Sequence, residues 1–402
     1  MPRYLIVTHV HAHAAGDALA MPAAYVDVLR VQLAELHAAG FDVALAVPVR
    51  RRGAPPTPAM IFRPADLGIE AIALPAYVTM PQYLAARAKL RRTIAKTPAG
   101  VVQVGVAGHP VATAQALWDT LAAGSAKRLL LFGDDPFPAA ARHAEGGRNP
   151  AKRYGKNLAV DKLAEFCRAA IPAAAAVIAH APAVADRFAA QWTDRCHVLP
   201  PGLVREAELV DRKASPGKVL RLACVGREQA VAGVDHVLES LAVAKRLSAA
   251  VELDLVGDVQ YSQPLMDLIR SRGIEPIIRL HGYLPDDRLL PVLDAADVLV
   301  STTLVPVREP LIYRAAARGL PVVSYDSAAA DAPGVRVPHG DVRRLAEAML
   351  TLSRNPVKVR QLAADALAWA RANTLEAVHR QRAVIARQVL GLVPSPSGRG
   401  LG

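Results

Sequence analysis

The stretch that decides the fold lies in the second half of the chain. It reads VLRLACVGREQAVAGVDHVLESL at residues 219–241, VELDLVGD at 251–258 and AADVLVSTT at 295–303. Apolar runs of strand length recur through this region, and helix-like sequence separates most of them; they occupy residues 220–225, 251–256, 277–281, 298–301 and 321–324. Near-continuous apolar strands that alternate with helices are typical of a parallel sheet covered on both faces. The sequence therefore predicts an α/β fold.

Glycines follow the first three of these strands. Gly226 and Arg227 come directly after the first strand, Gly257 after the second, and Gly282 after the third. In open α/β sheets, ligands bind outside the carboxyl ends of the strands. We therefore expect these glycines and this arginine to line a ligand-binding crevice.

Seven short motifs in this region follow a recognisable order. They are VGR (225–227), GVDHVLESL (233–241), LVGD (255–258), HGYLPDDRL (281–289), AADVLVSTT (295–303), ARGLPVVS (317–324) and HGDVRRLAEAM (339–349). Their order and spacing resemble the C-terminal, donor-binding domain of GT-B glycosyltransferases, most of all the retaining family 4 (glycosyl transferases group 1). The resemblance implies two Rossmann-like domains that face each other across a cleft.

The length of 402 residues accommodates two domains. We expect an N-terminal, acceptor-side domain at residues 1–204, a linker at 205–217, and a nucleotide-sugar-binding domain at 218–375. A helix at 376–392 is expected to return toward the N-terminal domain, because GT-B proteins usually end in such a helix. Residues 393–402 read as a flexible tail.

Composition narrows the choice of partners. A formal net charge of +12 favours acidic partners such as nucleotide diphosphates or an anionic lipid surface. Six Phe, nine Tyr and three Trp are too few for extended base stacking, which argues against nucleic acid. The three cysteines lack metal-ligand spacing and indicate a reducing compartment. With no signal peptide and no apolar run of bilayer length, we predict a cytoplasmic bacterial protein.

One predicted helix, YLAARAKLRRTIAK at residues 83–96, is strongly basic. Such a helix can lie on the anionic inner face of a membrane, and many relatives in the family glycosylate lipid-linked acceptors. The alternative is an ordinary solvated face. Both interpretations stay open at this point.

The resemblance implies a donor site for a nucleotide-diphosphate sugar without a metal or other cofactor. Arg227 matches the arginine that binds the diphosphate, and the backbone at Tyr283 and Leu284 is implied to hold the base. Positive side chains and glycine-rich turns suit this role because the diphosphate leaves as an anion. The candidate donor-binding residues are Gly16, Gly226, Arg227, Gly257, Tyr283, Leu284, Glu309, Leu311 and Arg314.

The chain departs from the family pattern at this site. Ala232 stands where the family has a second cation, and Pro306 and Arg314 stand where it has two glutamates. Glu309 lies three residues from the first of those places. A shifted loop that brings Glu309 to the sugar, and an arginine that replaces the lost lysine, are hypotheses at this point. Each lost charge-assisted contact costs about 1.5–3 kcal/mol.

The N-terminal half offers further candidates. His109 and Asp134 follow the predicted strands 101–106 and 127–132, near the place where the family often carries a histidine beside the reacting sugar. We therefore name His109, Asp134 and Glu309 as candidate catalytic residues. Gly16 lies in the loop predicted for residues 9–17, where it would allow the backbone to approach a ligand.

Three histidines in that same loop suggest a different chemistry. His9, His11 and His13 alternate along an extended segment, as metal ligands can. A His-x-His pair after a first strand also resembles the metal-dependent amidohydrolases. The downstream pattern indicates two open sheets rather than the eightfold barrel of that class.

Three functional hypotheses follow, in this order. The first is a glycosyltransferase that moves a sugar from a nucleotide-diphosphate donor to a cell-envelope or secondary-metabolite acceptor, lipid-linked or polysaccharide, with retention. The second is a catalytically degenerate GT-B protein that binds a sugar nucleotide or a partner without transfer. The third is a metal-dependent hydrolase.

Overall fold

The computed structural model divides the chain into two compact units. Unit 1 comprises Met1–Pro201 and Leu375–Gly402, and unit 2 comprises Gly202–Thr374. The structure describes residues 1–8, 10–77, 80–106, 127–132, 173–180, 185, 195–211, 216–226, 233–258, 262–303, 310–326 and 332–393. Each unit contains one extended sheet, so the predicted α/β class with two Rossmann-like domains is confirmed.

Unit 1 is built on a ten-stranded sheet. Its strands are β1 (Arg3–Val7), β2 (Ala12–Ala15), β3 (Ala18–Pro22), β4 (Asp42–Arg50), β5 (Ala59–Phe62), β6 (Glu70–Pro75), β7 (Val101–Val106), β8 (Lys127–Phe132), β9 (Ala176–Ala179) and β10 (Cys196–Val198). The order is β10-β9-β8-β7-β1-β4-β2-β3-β5, and β6 also pairs with β4. Helices α1 (Ala23–Ala38) and α2 (Met80–Lys96) belong to this unit. The central strand β1 is almost wholly buried, which its apolar sequence RYLIV explains.

The loop predicted for residues 9–17 is wrong at Ala12–Ala15, which form the strand β2. Strands β2 and β3 form an antiparallel hairpin there, and β3 continues the sheet to β5. Gly16 lies in the hairpin turn with φ +67, a conformation that favours glycine. A Cβ at this position would have no heavy atom within 4 Å, so the turn accounts for the glycine.

Unit 2 contains a six-stranded sheet in which every pair is parallel. Its strands are β11 (Leu220–Val225), β12 (Val251–Val256), β13 (Ile278–Gly282), β14 (Val298–Ser301), β15 (Val322–Tyr325) and β16 (Gly334–Val337). Its helices are α3 (Val234–Arg246), α4 (Gln263–Arg272), α5 (Asp286–Ala295), α6 (Pro310–Ala317), α7 (Val342–Ser353) and α8 (Pro356–Ala372). The strand order is β13-β12-β11-β14-β15-β16.

Two apolar clusters cover the two faces of this sheet. On β11, Leu222 and Cys224 pack into a cluster with α3 and α7, whereas Ala223 packs into a second cluster with α5 and α6. Successive residues of a strand point to opposite faces, so both clusters draw on the same apolar run. This burial on both faces confirms the predicted doubly covered parallel sheet.

The sequence analysis missed the sixth strand, β16. It begins at Gly334, where a Cβ would lie 2.2 Å from the carbonyl oxygen of Val322 on β15. Only a residue without a side chain allows this approach, and a four-residue strand gives a weak periodic signal. The glycine therefore serves strand pairing at the edge of the sheet.

The last helix, α9 (Leu375–Val389), packs against α1 of unit 1. Arg380 makes a bidentate ion pair with Glu35 at 3.0 and 3.2 Å. Arg387 Nη1 donates to the carbonyl of Ala39 at 2.6 Å, which satisfies an acceptor at the carboxyl end of α1. Chain segments that lie more than 300 residues apart thus form one core.

Helix α9 also carries a buried histidine that burial keeps neutral. His379 is 2% exposed. Burial, with a smaller effect from the Arg382 cation and His180, lowers the pKa of His379 to about 2. Protonation would place a second positive charge beside Arg382 in a dry environment.

We predict that the stability of unit 1 falls as pH decreases below about 6.5, because the unfolded histidine binds a proton there and the folded one does not. The contribution is complete above the unfolded value of 6.5 and is lost by up to about 1.4 kcal/mol per pH unit below it. Urea unfolding of wild type and His379→Gln between pH 4.5 and 7 measures it. The variant should show a shallower pH slope; equal slopes would contradict this explanation.

Candidate functional site

The candidate site lies at the carboxyl edge of the unit 2 sheet. Strand β11 has β12 on one side and β14 on the other, so the connections leave it in opposite directions. Such a switch point leaves a crevice above the carboxyl ends of the two central strands, which is where open α/β sheets bind ligands. The motif residues 225–226, 255–258 and 302–303 all fall at this edge.

Three glycines form the floor of this edge. The N–H of Gly226 donates to the carbonyl of Val256, and the N–H of Gly257 donates to the carbonyl of Gly282, both at 2.8 Å. A Cβ on Gly257, whose φ is +135, would lie 2.5 Å from the carbonyl oxygen of Gly226. A Cβ on Gly226 would lie 2.4 Å from Val234. The structure therefore brings Gly226 and Gly257, both buried, into contact at this edge, and the contact is possible only because neither residue carries a side chain.

The first turn of α3 is anchored at the same edge. Gly233 precedes the helix in a left-handed conformation with φ +58. Its carbonyl accepts a hydrogen bond from the hydroxyl of Thr302 at 2.8 Å, and Thr302 is 1% exposed. Strand β14 thus fixes the start of α3 next to β11. The free N–H groups of a helix start carry partial positive charge and favour an anion.

A second hydrogen bond holds this turn to β15. His236 Nδ1 lies 2.8 Å from the hydroxyl of Tyr325, which ends β15. Burial, with smaller effects from Asp235 and Asp341, raises the pKa of Tyr325 to about 12. The tyrosine therefore keeps its proton at neutral pH, and this hydrogen bond joins two neutral groups or a tyrosine and an imidazolium without a phenolate. Sequence reasoning missed both residues; the polar Tyr-Asp that ends the apolar run VVSYD was the available signal.

Tyr283, Leu284 and Arg314 lie close to this row of glycines. Tyr283 follows Gly282 and is 61% exposed. Arg314 Nη1 donates to Asp286 Oδ2 at 3.0 Å, and Asp286 begins α5 two residues after Leu284. This carboxylate already compensates part of the positive charge of Arg314. If Arg314 also bound a phosphate of the nucleotide sugar, its N–H groups would be shared between that phosphate and Asp286.

Other predicted residues are placed differently. Leu311 packs against the apolar cluster beneath α6. Gly16 belongs to unit 1, in the β2–β3 turn. Arg227, His109, Asp134 and Glu309 lie outside the described residues, as do Ala232 and Pro306. Their assignments remain predictions.

The N-terminal histidines give no support to the hydrolase hypothesis. His9 lies outside the described residues, and the guanidinium of Arg50 donates to His11 Nδ1 at 2.8 Å. Burial, Arg50 and His13 together lower the pKa of His11 to about 4. An arginine at a ligand nitrogen opposes a metal cation. Within the described parts of the chain, no three His, Cys, Asp or Glu side chains are grouped as metal ligands.

No helix among the residues that the structure describes is long and apolar enough to cross a bilayer.

The close approach at Gly257 makes a specific prediction. Gly257→Ala should destabilise unit 2 by at least about 2 kcal/mol more than Gly273→Ala. Gly273 also has a positive φ of +62, but a Cβ there has open space. The control therefore carries the milder strain of a left-handed conformation and no contact, and urea unfolding compares the two variants. Equal losses of unfolding free energy in the two variants would show that the backbone at Gly226 moves aside without a cost in stability.

Comparison with known proteins finds a family match within unit 2. A family described as glycosyl transferases group 1 matches residues 220–355, which contain all six strands of unit 2. Two relatives match a similar length. One is the MMP alpha-(1->4)-mannosyltransferase of Mycolicibacterium hassiacum, 28% identical over 152 residues, 38% of this chain and 36% of that protein. The other is the amylovoran biosynthesis glycosyltransferase AmsK of Erwinia amylovora, 26% identical over 155 residues, 35% of this chain and 37% of that protein. The matches thus span little more than a third of either relative.

Solved structures match over nearly the whole chain. HepE of Anabaena, in complex with UDP, aligns with a TM-score of 0.61 at 17% identity, covering 96% of this chain and 100% of that one. Sucrose-phosphate synthase of Thermosynechococcus elongatus aligns with a TM-score of 0.57 at 18% identity, covering 98% and 100%. At such low identity these likenesses establish the fold. The chain therefore has the fold of the GT-B glycosyltransferases, and its residues 220–355 match the group 1 glycosyl transferases.

Proposed function

We propose that this protein is a retaining glycosyltransferase that transfers a sugar from a nucleotide-diphosphate donor to a cell-envelope or secondary-metabolite acceptor. The observation that carries the proposal is the glycine-floored edge of the unit 2 sheet, which lies within the segment that matches group 1 glycosyl transferases. Two relatives that match this region are named as glycosyltransferases, and HepE was solved with UDP and with UDP-glucose.

The chemistry of this edge suits a diphosphate. The start of α3 offers free backbone N–H groups, and Thr302 holds this start beside β11. Arg227 directly follows Gly226 in the chain and would supply the charge that neutralises the departing diphosphate. In this proposal no metal or cofactor takes part, and Tyr283 and Leu284 hold the base.

Transfer with retention breaks the bond between the anomeric carbon and the phosphate oxygen. The acceptor oxygen forms its bond to that carbon on the same face, and its proton passes to the departing phosphate. His109 and Asp134 are proposed to contact the reacting sugar and the acceptor, and Glu309 to contact the donor sugar. Leu311 and Gly16 complete the proposed contacts.

A catalytically degenerate binder is the second candidate function. Arg314 stands where the family resemblance implies a glutamate, and it is already engaged in an ion pair with Asp286. Ala232 likewise offers no cation. These two features favour a protein that binds a sugar nucleotide without transferring the sugar.

Arg227→Ala tests the donor site. Loss of a charge-assisted contact to phosphate should weaken nucleotide-diphosphate binding about tenfold or more. Calorimetry with a panel of nucleotide diphosphates and their sugars measures it on wild type and variant. The matched control is Arg246→Ala, an exposed arginine at the other end of α3, which should bind like wild type.

The same panel separates the two candidate functions. Binding that is followed by release or transfer of the sugar supports the transferase, whereas binding without either supports the degenerate binder. Unchanged affinity in Arg227→Ala would reject the role of that residue, and the absence of any binding in wild type would reject both functions.

We also propose that α2 contacts an anionic membrane surface peripherally. Its basic side chains Lys89, Arg92 and Lys96 are exposed, whereas Leu90 and Ile94 are buried against unit 1. Because the apolar face is occupied, the contact would be electrostatic and would not insert into the bilayer.

This contact predicts salt-sensitive binding to vesicles that contain anionic lipids. Each basic residue near the surface contributes about 1 kcal/mol, so replacing Lys89, Arg92 and Lys96 by Gln should nearly abolish co-sedimentation at low salt. Replacing Arg246, Lys358 and Arg360 by Gln removes the same charge from unit 2 and serves as the control. Equal losses in both triple variants would indicate a net-charge effect only.

A further inference from the structure

Unit 1 buries an arginine whose polar contacts are two histidines. Arg382 of α9 is 7% exposed. Its Nη2 lies 2.8 Å from Nε2 of His180, which directly follows β9, and its Nη1 lies 3.4 Å from Nδ1 of His379. Within the part of the chain that the structure describes, no carboxylate pairs with this guanidinium. A buried cation normally has a counter-charge, because desolvation of an isolated charge is costly.

The two contacts determine where the histidine protons lie. A guanidinium has only donors, so His180 Nε2 and His379 Nδ1 must both be acceptors. A neutral imidazole that accepts at one nitrogen carries its proton on the other. His379 is therefore a donor at Nε2.

Two nitrogen atoms of this cluster lack a hydrogen-bond partner among the described residues. His379 Nε2 and Arg382 Nε are both buried without a hydrogen-bond partner among the described residues. They belong to side chains that contact each other, so they lie in one small region. Burial lowers the pKa of Arg382 only to about 10, so its charge persists at neutral pH.

Two polar groups described nearby, Tyr4 and Gln103, bond to each other and leave Arg382 Nε and His379 Nε2 without a partner. Tyr4, which is fully buried, donates its hydroxyl proton to Gln103 Oε1 at 2.6 Å. Gln103 Oε1 also accepts from Gln32 Nε2 at 2.7 Å, so this oxygen is already shared by two donors. The region combines a positive charge with unused donors, and it lies beside the carboxyl end of β9, the side of a parallel sheet on which ligands bind.

We propose that Arg382, His379 and His180 form a binding site in unit 1 for a small oxyanion, either a phosphate or a carboxylate group. The oxyanion accepts hydrogen bonds from Arg382 Nε and His379 Nε2 and provides the counter-charge. This site uses residues of unit 1 only, and its proposal does not depend on the proposed glycosyl transfer.

Thermal unfolding of the full chain tests the site. Inorganic phosphate replaces chloride at constant ionic strength and pH 7.5, and acetate is titrated in a parallel series. A ligand that binds only the folded state raises the melting temperature with increasing concentration. The melting temperature of wild type should rise more than a non-specific salt effect explains. The anion with the lower half-saturating concentration, phosphate or acetate, shows which of the two groups the site prefers.

Matched variants assign the effect to Arg382. Arg382→Met should raise the half-saturating concentration at least about tenfold. Arg380→Met, on the same helix but in the ion pair with Glu35, should titrate like wild type. Arg227→Ala should also titrate like wild type, which excludes the proposed donor site as the origin of the effect.

Two outcomes overturn the proposal: no anion-dependent rise in wild type, or an equal rise in Arg382→Met. If Arg382→Met does not fold, His379→Leu removes one donor and keeps the guanidinium. Its half-saturating concentration must then increase several-fold, and an unchanged value equally rejects the site.

Discussion

The close approach of two strand ends is the constraint on which the site in unit 2 depends. The N–H of Gly226 bonds to β12, and the N–H of Gly257 bonds to Gly282 of β13, so the ends of three parallel strands are joined at one edge. A Cβ on Gly257 would lie 2.5 Å from the carbonyl oxygen of Gly226. The absence of side chains allows this geometry. These two glycines therefore shape the edge of the sheet at which we propose that the donor binds.

The start of α3 is fixed by side chains from two different strands. Thr302 after β14 holds the carbonyl of Gly233, and Tyr325 at the end of β15 holds His236. A helix start binds an anion well only if it is fixed, because ordering it upon binding would reduce the affinity. The hydroxyl groups at these strand ends therefore fix the start of α3 at the edge of the sheet.

The structure shows how Arg314, one departure from the family pattern, is accommodated. Arg314 does not stand as an isolated substitution, because Asp286 at the start of α5 compensates its charge. The pair ties α6 to α5 near the proposed base-binding residues. A lost acidic contact and a gained ion pair leave the fold unchanged, which is why fold and catalytic competence have to be argued separately.

The sequence by itself determined the class of the fold and most of the unit 2 sheet. The sequences of β11, β12 and β14 are strongly apolar, and each pattern is visible within a window of six residues or fewer. It also identified Gly226 and Gly257, since a glycine at a strand end is visible locally. The β2–β3 hairpin and the strand β16 were missed because their sequences, AHAA, ALAMP and GVRV, lack the continuous run of large apolar residues that marks β14.

Only the tertiary structure decided which polar groups meet. Thr302 and Gly233 are 69 residues apart, His236 and Tyr325 are 89 apart, and Arg382 and His180 are 202 apart. No local pattern records such pairs, because they arise when the sheet brings distant strand ends to one edge and when α9 packs onto unit 1. The sequence determines the elements through their short-range periodicity, whereas packing between elements determines the site.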